Sequence, residues 1–487
     1  MIAVKRVLDI CSISFLVLGI AWGAYWLLVA AYHCAPNVED FALASAARDQ
    51  GLFTILIDML LSNYTRYTAA FFYGFNLLVF NQVKLFVWMP ILCFLFFNLS
   101  FYYFISSFFH QIKTKQTLIV FTLLFVIIHF ATQPSLPYGF TYMSSTFVYI
   151  YPWFFSFLWM GSFARAIKEE NTLKKYFLSL FSYLTLILSF GCSELFIPMN
   201  AFFLLSFGCF LFLYTPKKWY IIAPHVLIAI SSIGFILLCP SNKITSENIF
   251  YAIDERYNGS NFAWESLKIY SRFYALYLLH PLSLCFICVS TLLFIKIQKV
   301  LNWMAYIKSS LLIAFFMLSF IGSYLCTWPY FLAIGSNGVF PKYIFNCVEI
   351  YAQLGLWIIF PIFLSKKITS LQSIANVSFA QLVLASILLF LLFFSNNNIA
   401  NIKREYDLGY LQDVQNKADK FYKNVLLAKE SDSKNTVVYF ENPTVIPKTI
   451  FLDYDVLPNR QSACWNLAYE DYFKINEVRL DGDTIFK

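Results

Sequence analysis

Long apolar stretches separated by short polar segments dominate this sequence. The first covers residues 7–30, follows Lys5 and Arg6, and has no small-residue cleavage site behind it, so it predicts a retained membrane helix rather than a signal peptide. Further stretches of the same character follow along most of the chain. We place the spans at roughly 7–30, 85–109, 117–132, 146–166, 176–193, 195–214, 219–238, 273–295, 307–328, 343–364 and 373–395. The pattern therefore predicts an all-α polytopic membrane protein with about eleven transmembrane helices.

Residues 31–84, between the first two spans, follow a different pattern. Short amphipathic stretches alternate there with polar residues such as Arg48, Asp49 and Asn63. Such stretches are too short to cross a bilayer, but they can lie on its surface with their apolar side facing the lipid. We therefore expect a long first outer loop built from interfacial helices.

The last part of the chain, residues 396–487, is more polar. Apolar residues recur there at steps of three and four, which is the period of an amphipathic helix. They are Leu411, Val414, Ala418, Phe421 and Val425. Residues 436–440 and 477–480 have the composition of short strands. We expect a small C-terminal α/β domain outside the membrane, resting on the helices that residues 1–395 form.

The distribution of charge gives the spans an orientation. Lys and Arg collect in short loops on one side, such as those that hold Lys113, Lys174 and Lys217, whereas most acids before residue 396 lie on the other side. Short loops rich in Lys and Arg stay in the cytoplasm. The N-terminus is therefore expected inside and, after an odd number of spans, the C-terminal domain outside, in the periplasm or the extracellular space.

Composition agrees with a membrane protein and excludes other classes. Of the 487 residues, 60% are hydrophobic, 20% aromatic and 13% charged, and the mean hydropathy is +0.65. This is too apolar for a soluble globule. The net charge of +8 is spread over many loops, so it does not form the basic patch by which proteins bind nucleic acid.

Motifs narrow the chemistry further. The sequence has no GxGxxG, P-loop or GxSxG pattern, and its cytoplasmic loops are too short to hold a nucleotide-binding domain. The 11 cysteines fall mostly in apolar runs and lack the spacing of a zinc site. A disulfide among Cys34, Cys239 and Cys464, all expected on the outer side, stays open, although their spacing does not support it. Chemistry at the membrane face on a lipid-borne substrate remains, and so does transport.

Two adjacent carboxylates, Glu39 and Asp40, directly follow the first span. At the boundary between lipid and water, partial desolvation can raise the pKa of a carboxylate toward a value that suits a general base. Acids in this position also stabilise the start of a helix, here expected at Phe41. Both interpretations stay open. Either carboxylate can be the principal one, and the sequence puts Asp40 modestly ahead of Glu39.

Other polar residues near the outer face are candidates for substrate binding. Arg66 is either a snorkelling anchor or a phosphate contact. Glu194 lies at the edge of two apolar runs and Glu349 lies inside one, where an ionisable residue is either functional or part of a structural ion pair.

The remaining candidates each have a structural alternative. Arg256, Lys268 and Arg272 either bind phosphate or pair with neighbouring acids, and His33 either flanks the site or packs. A group of aromatic residues near one outer helix end could stack on a sugar ring or belong to the core. These residues are Tyr138, Tyr142, Tyr149 and Trp153.

Several short motifs together resemble those of the GT-C class of polytopic glycosyltransferases, and more narrowly of bacterial members with a short C-terminal domain. They are the first span with Glu39-Asp40 behind it, Asn63-Tyr64-Thr65-Arg66-Tyr67, Gly191-Cys192-Ser193-Glu194, Cys239-Pro240-Ser241-Asn242, and Pro458-Asn459 with Trp465-Asn466 in the tail. The first-loop pair is usually Asp-Asp in such proteins, whereas it is Glu-Asp here.

This resemblance implies an enzyme of the bacterial inner (cytoplasmic) membrane. It would transfer a sugar from a polyprenyl-phosphate carrier to a glycan or glycolipid acceptor of the cell envelope, on the outer face. The implied general base is Asp40 or Glu39, and a divalent ion, Mg²⁺ or Mn²⁺, could share the work with Asp40. Candidates for contact with the donor phosphate or the substrate are Arg66, Glu194, Arg256, Lys268, Arg272 and His33.

Two other functions stay open: a transporter or lipid-linked-sugar flippase, and a polysaccharide polymerase or ligase. Transporters place polar residues at mid-membrane between broken helices. Here charge collects at one face, beneath a polar tail, which favours the enzyme.

Overall fold

The part of the chain that the structure describes folds almost entirely into helices. The computed structural model describes residues 2–58, 66–109, 115–193, 195–214, 221–238, 262–297, 307–334, 342–368, 374–430, 437–441, 444–450, 471–474 and 477–480. The α-helices of this part are α1 (Ile2–His33), α2 (Val38–Gln50), α3 (Leu52–Asp58), α4 (Tyr67–Tyr73), α5 (Trp88–Phe108), α6 (Lys115–Thr132), α7 (Met143–Tyr149), α8 (Tyr151–Lys168), α9 (Thr172–Phe190), α10 (Phe196–Tyr214), α11 (Ala223–Leu238), α12 (Phe262–Tyr277), α13 (Pro281–Ile297), α14 (Ser309–Ile334), α15 (Lys342–Leu354), α16 (Phe360–Lys367), α17 (Ile374–Phe394), α18 (Asn398–Asp407) and α19 (Tyr410–Glu430). Shorter elements are the 3₁₀ turns Leu77–Phe80 and Val83–Leu85, the π-helical turns Pro137–Thr141 and Gly355–Ile359, and the strands β1 (Val437–Phe440) and β2 (Glu477–Leu480).

Eight helical segments within the described residues are long and apolar enough to cross a bilayer. They are Ala3–His33, Val83–Phe108, Lys115–Thr132, Met143–Lys168, Thr172–Phe190, Ser309–Trp328, Ile344–Lys367 and Val377–Phe394. The chain is thus a multi-pass membrane protein. The pair α12 and α13, bent by 70°, makes nine if it is one span, and α10 and α11 hold shorter apolar segments. The predicted total of eleven requires all of these to cross, and it stays a prediction.

Helix α9 illustrates how the outer helices suit lipid. Leu173, Phe177, Leu180 and Leu184 recur at helical spacing and are 51% to 82% exposed. The opposite side of α9 buries small polar residues such as Ser189 against α8. Apolar residues outward and small residues inward are the arrangement expected of a helix packed in a membrane.

The segment Met143–Lys168, which comprises α7 and α8, lies at the centre of the bundle. In it 89% of the apolar stretch is buried inside the protein, against 33% for the stretches in α1, α9, α14 and α17. The backbone groups at the N-terminal end of this central segment are therefore held in place by the surrounding helices.

The two ends of the bundle differ in chemistry. At one end Arg165 donates to the hydroxyl of Ser107 at 2.9 Å, and Lys296 pairs with Asp9 at 2.5 Å, so cations from α8 and α13 tie helices together. The other end holds the C-terminal ends of α1, α6 and α9 together with the chain after residue 396. We call this second end the tail end.

The tail is anchored on the bundle. Asn397 caps α18 by accepting the N–H of Ala400 at 3.0 Å, and Asn398 donates to the carbonyls of Phe130 and Gln133, each at 2.9 Å. The predicted amphipathic helix is confirmed as α19. The five residues named from the sequence, Leu411, Val414, Ala418, Phe421 and Val425, are all buried, and Ala428 continues the same face.

Both short strands predicted in the tail are present. They pair in parallel, with Val437 opposite Glu477. The long first loop between α1 and α5 contains short helices, as predicted, although α2 begins at Val38, before the expected Phe41. A small C-terminal α/β domain outside the membrane and a position of the loop helices on the membrane surface stay predictions.

Candidate active site

Asp40 and Asn37 together begin α2. The side-chain oxygen of Asn37 accepts the N–H of Asp40 at 2.9 Å, and Oδ2 of Asp40 accepts the N–H of Asn37 at 3.3 Å. This reciprocal pair is a capping box, which satisfies N–H groups that the first helical turn leaves without a helical partner. The helix-starting role considered for the acids is therefore present at Asp40.

Asp40 also joins α2 to α7. Its Oδ1 accepts the backbone N–H of Ser144, 104 residues further along the chain, at 2.8 Å. That N–H belongs to the first turn of α7, which again lacks helical partners. Asp40 is 1% exposed. Both of its oxygens thus accept charge-assisted hydrogen bonds in the interior, and the residue fixes two helix starts against each other.

Glu39 has a different environment from its neighbour. Its side chain is exposed, and its Oε2 accepts the hydroxyl of Ser144 at 3.4 Å. Ser144 therefore contacts both acids, Asp40 through its backbone and Glu39 through its side chain. Of the two carboxylates, that of Glu39 is the one open to solvent and to an approaching substrate.

Arg66 belongs to the same site. It directly precedes α4, whose last residue, Tyr73, donates its hydroxyl to the carbonyl of Ser144 at 3.4 Å. Burial raises the pKa of Tyr73 above its ordinary value; the charge of Arg66 opposes the rise, and the charges of Glu39 and Asp40 add to it. The charges of Arg66 and of the acidic pair therefore all act on Tyr73, which contacts Ser144.

The start of α4 is held against the end of α9. The N–H of Thr68 donates to the carbonyl of Gly191 at 2.8 Å, and the hydroxyl of Tyr67 donates to that of Ile187 at 2.8 Å. A Cβ at Gly191 would overlap the ring of Tyr67 and the hydroxyl of Thr68, so this close approach requires glycine. Two motifs singled out from the sequence therefore meet here. Glu194, the last residue of one of them, lies outside the described residues.

Aromatic side chains of the tail cover the residue next to Asp40. The ring of Phe41, which is fully buried, lies 6.3 Å from that of Tyr422, 4.8 Å from Tyr472 and 5.4 Å from Phe473, between ring centroids. Tyr472 also donates its hydroxyl to the carbonyl of Leu78 at 2.8 Å. The tail thus forms the cover of α2 in this structure.

Charged residues add an ionic clasp between the first loop and the tail, formed by Arg48, Asp49 and Lys474. Arg48 donates to the carbonyl of Tyr472 at 2.9 Å and pairs with Asp49 at 2.9 Å, and Lys474 pairs with Asp49 at 2.5 Å. Hydrogen bonds from Arg48 and Lys474 lower the pKa of Asp49 to about 2. Asp49 is therefore ionised, and the clasp is intact, at neutral pH.

The other residues predicted for substrate contact lie elsewhere or are not described. His33 is 7% exposed, with the rings of Tyr32 and Tyr406 at 5.1 Å and 5.6 Å, so it packs beneath α18. Lys268 pairs with Glu265 on its own helix at 2.8 Å. Arg272 is exposed on that helix, α12, and Arg256 lies outside the described residues.

The proposed aromatic stack for a sugar is wrong for Trp153. This side chain is fully buried and donates its indole N–H to the carbonyl of Cys347 at 2.8 Å, so it belongs to the core. Tyr142 and Tyr149 are 8% and 9% exposed. Tyr138 is half-buried and lies 5.4 Å from the ring of Tyr142.

The described residues do not fit a divalent ion at Asp40. Both oxygens of this carboxylate already accept N–H groups, and no group of three or more His, Cys, Asp or Glu within the described ranges is arranged to hold a metal. Cys34 is a free thiol that donates to the carbonyl of Ala31, whereas Cys239 and Cys464 lie outside the described residues.

Glu349 is buried inside α15 and is 3% exposed. Its Oε1 accepts the side-chain amide of Gln353. Glu349 is thus an acid inside an apolar helix, as predicted. Its described contacts do not connect it with the site around Glu39.

Three residues of the site were not singled out from the sequence. Asn37 could have been, because Asn followed three residues later by Asp is the pattern of a capping box. No sequence pattern marks Ser144 or Tyr73. They reach the site because α7 and α4 pack against α2, and a local pattern does not encode that packing.

The fold and site together define a helical multi-pass membrane protein with an accessible carboxylate, a buried carboxylate and an arginine gathered at one end of its bundle. No protein-family model matches the chain, and neither a curated protein nor a solved structure is significantly similar to it.

Proposed function

We propose that this protein is a membrane glycosyltransferase that moves a sugar from a polyprenyl-phosphate carrier to a cell-envelope glycan or glycolipid on the outer face. The observation that carries the proposal is the exposed carboxylate of Glu39 beside the hydroxyl of Ser144, just after α1. Arg66 precedes α4, which is joined to Ser144 through Tyr73. A base and a cation at the membrane boundary are what transfer from a lipid phosphate requires.

Glu39 acts as the general base in this proposal. It takes the proton of the acceptor hydroxyl as that oxygen bonds to the anomeric carbon of the sugar. The bond between the anomeric carbon and the carrier phosphate breaks, and its electron pair stays on the phosphate. Asp40 is a positioning residue, because its oxygens are engaged with Asn37 and Ser144.

Arg66 stabilises the leaving phosphate. A guanidinium matches phosphate oxygens in geometry and charge, and in a partly desolvated site its effect is larger than in water. Arg66 directly precedes α4, and Tyr67 and Thr68 of α4 donate to carbonyls at the end of α9. These contacts fix the position of Arg66 and support this role. The carrier chain would lie in the lipid beside the helices.

The tail supplies the outer wall of the site. Phe41 is covered by Tyr472 and Phe473, and the ionic clasp holds this cover in place. We place the tail end of the bundle outside, in the periplasm or extracellular space of a bacterial inner membrane, because Lys and Arg dominate the loops at the other end.

A transporter or lipid-linked-sugar flippase is the second candidate. It is favoured by the acid buried in α15, because ionisable residues inside a membrane often mark transport pathways. A polymerase or ligase would share the outer-face site and the lipid donor.

One experiment separates transfer from transport. The purified protein in liposomes is supplied with a polyprenyl-phosphate sugar labelled in the sugar, together with an extract of envelope glycans and glycolipids as acceptors. We expect label in the glycan fraction and release of the carrier phosphate. Movement of the intact labelled lipid across the bilayer without cleavage would overturn the enzyme proposal.

A further inference from the structure

A line of polar side chains lies buried between α6 and α15. His129 and Gln133 are one helical turn apart at the end of α6, and Glu349 and Gln353 are one turn apart on α15. His129 and Gln353 have no exposed surface, and Gln133 and Glu349 are 2% and 3% exposed. These four side chains form what we call the His129–Glu349 line. It is separate from the site around Glu39.

The hydrogen bonds of this line all run in one direction. The side-chain oxygen of Gln353 can only accept, so the Nδ1 of His129, 2.8 Å away, carries a hydrogen. The Nε2 of His129 then accepts the amide of Gln133 at 2.7 Å, and Gln353 donates its own amide to Oε1 of Glu349. With these amide orientations His129 is neutral.

Among the described residues no cation pairs with Glu349. Its Oε2 is buried and has no hydrogen-bond partner in the part of the chain that the structure describes. In the described part of the chain, the titratable groups near it on neighbouring helices are the phenols of Tyr274 and Tyr277 on α12 and, through Gln353, His129 on α6. Phe97 of α5 stacks on His129. An ionised carboxylate would be costly in this environment, whereas a carboxylic acid would not.

Gln133 provides a second arrangement. Its Oε1 is also buried without a partner among the described residues. Turning this amide by half a turn would present the oxygen to Nε2 of His129, which would then need a hydrogen of its own. The proton can come from Glu349: its O–H bond breaks, the electron pair stays on the carboxylate, and an N–H bond forms on His129. The two arrangements hold the same number of protons.

We propose that Glu349 and His129 form an intramembrane proton-binding site that holds one proton, resident on Glu349 in the arrangement seen here. Gln353 bridges the two groups, and Gln133 selects the form of the imidazole. The inference does not rest on the proposed transferase activity, because it concerns other residues and another helix interface.

Infrared spectroscopy of the full-length protein in lipid nanodiscs at neutral pH tests this directly. A neutral carboxylic acid gives a C=O stretching band that ionised carboxylates lack and that shifts in heavy water. We expect this band in the wild type, its loss in Glu349→Gln, and its retention in Glu405→Gln. Glu405 is a matched control because it is a buried acid of the tail whose oxygens accept the N–H groups of Lys448 and Thr449.

A second variant keeps Glu349 and removes its donor. In Gln353→Met the band should remain and move to higher frequency, since its carbonyl loses a hydrogen bond. A wild-type spectrum without the band would overturn the proposal, as would a band that survives in a folded Glu349→Gln protein. If Glu349→Gln does not fold, the Gln353→Met spectrum decides: an unshifted band would contradict the assignment.

Discussion

Glu39 and Asp40 are adjacent in sequence, but their carboxylates differ in hydrogen-bond partners and in exposure. Asp40 accepts N–H groups from Asn37 and Ser144 in the interior, and protonation of its carboxylate would break these charge-assisted bonds. Glu39 is exposed beside the Ser144 hydroxyl, where it can take a proton without disturbing a helix start. The acidic pair therefore divides into one accessible and one structural residue.

Asp40→Asn tests the structural half of this division. An amide has one acceptor oxygen, so its NH₂ group would face an N–H of Asn37 or Ser144. We expect a loss of about 1–3 kcal/mol in the free energy of unfolding, because a buried donor is left without an acceptor. The measurement is the midpoint of thermal unfolding of the purified protein. Glu39→Gln should leave this midpoint unchanged, and an equal drop in both variants would contradict the account.

Asp49 makes the clasp dependent on pH. Arg48 and Lys474 lower its pKa in the folded protein from 3.8 to about 2. Between these values the unfolded chain binds more protons than the folded chain, so stability rises with pH. The contribution of Asp49 is complete above its ordinary value and is lost as the pH falls toward 2.

Thermal unfolding at a series of pH values measures this effect. The difference in midpoint between wild type and Asp49→Asn should be constant above pH 3.8 and should shrink as the pH approaches 2. Asp407→Asn serves as the control, because Asp407 pairs with Lys403 on its own helix. If the difference in midpoint does not vary with pH, the ion pairs of Asp49 with Arg48 and Lys474 do not account for its contribution to stability.

At the scale of helices, the contact between α4 and α9 sets the position of Arg66. Gly191→Ala would force the Cβ into Tyr67 and Thr68. We expect about 1–3 kcal/mol of destabilisation and reduced sugar transfer, since overpacking shifts the start of α4. Gly234→Ala is the matched control: a Cβ there meets nothing within 4 Å, inside α11. Equal behaviour of the two alanine variants would count against a positioning role for Gly191.

The helices were predictable because their signals are local. Apolar run length marked the spans, and the steps from Leu411 to Val425 marked α19. The bend between α12 and α13 was not foreseen, because the turn geometry before Pro281 depends on packing.

The site was predictable in part. Glu39 and Asp40 were predicted because they directly follow the first span. The contact of Asp40 with Ser144 joins residues 104 positions apart in the chain, and no sequence pattern indicates such a long-range contact. The sequence allowed Trp153 to stack on a sugar ring because this aromatic residue lies near the end of a helix. Its burial against Cys347 follows from the tertiary fold alone.

At the scale of the whole molecule, the acidic pair, Arg66 and the tail share one end, and pairs such as Asp9–Lys296 occupy the other. This polarity predicts an odd number of spans with the tail outside. Reporter fusions after residue 487 test it: alkaline phosphatase should be active there, and green fluorescent protein should stay dark. A fluorescent fusion would require an even number of spans and a cytoplasmic tail.

The central claim is that Glu39 is the base of a sugar transfer at the membrane face. Its most direct measurement is the rate of labelled-sugar transfer by Glu39→Gln, beside the wild type and beside Glu265→Gln, which removes a surface acid paired with Lys268. The account predicts a fall of at least about 100-fold for Glu39→Gln, the usual contribution of a general base, with an unchanged rate for Glu265→Gln. A Glu39→Gln protein that transfers sugar at the wild-type rate would contradict it.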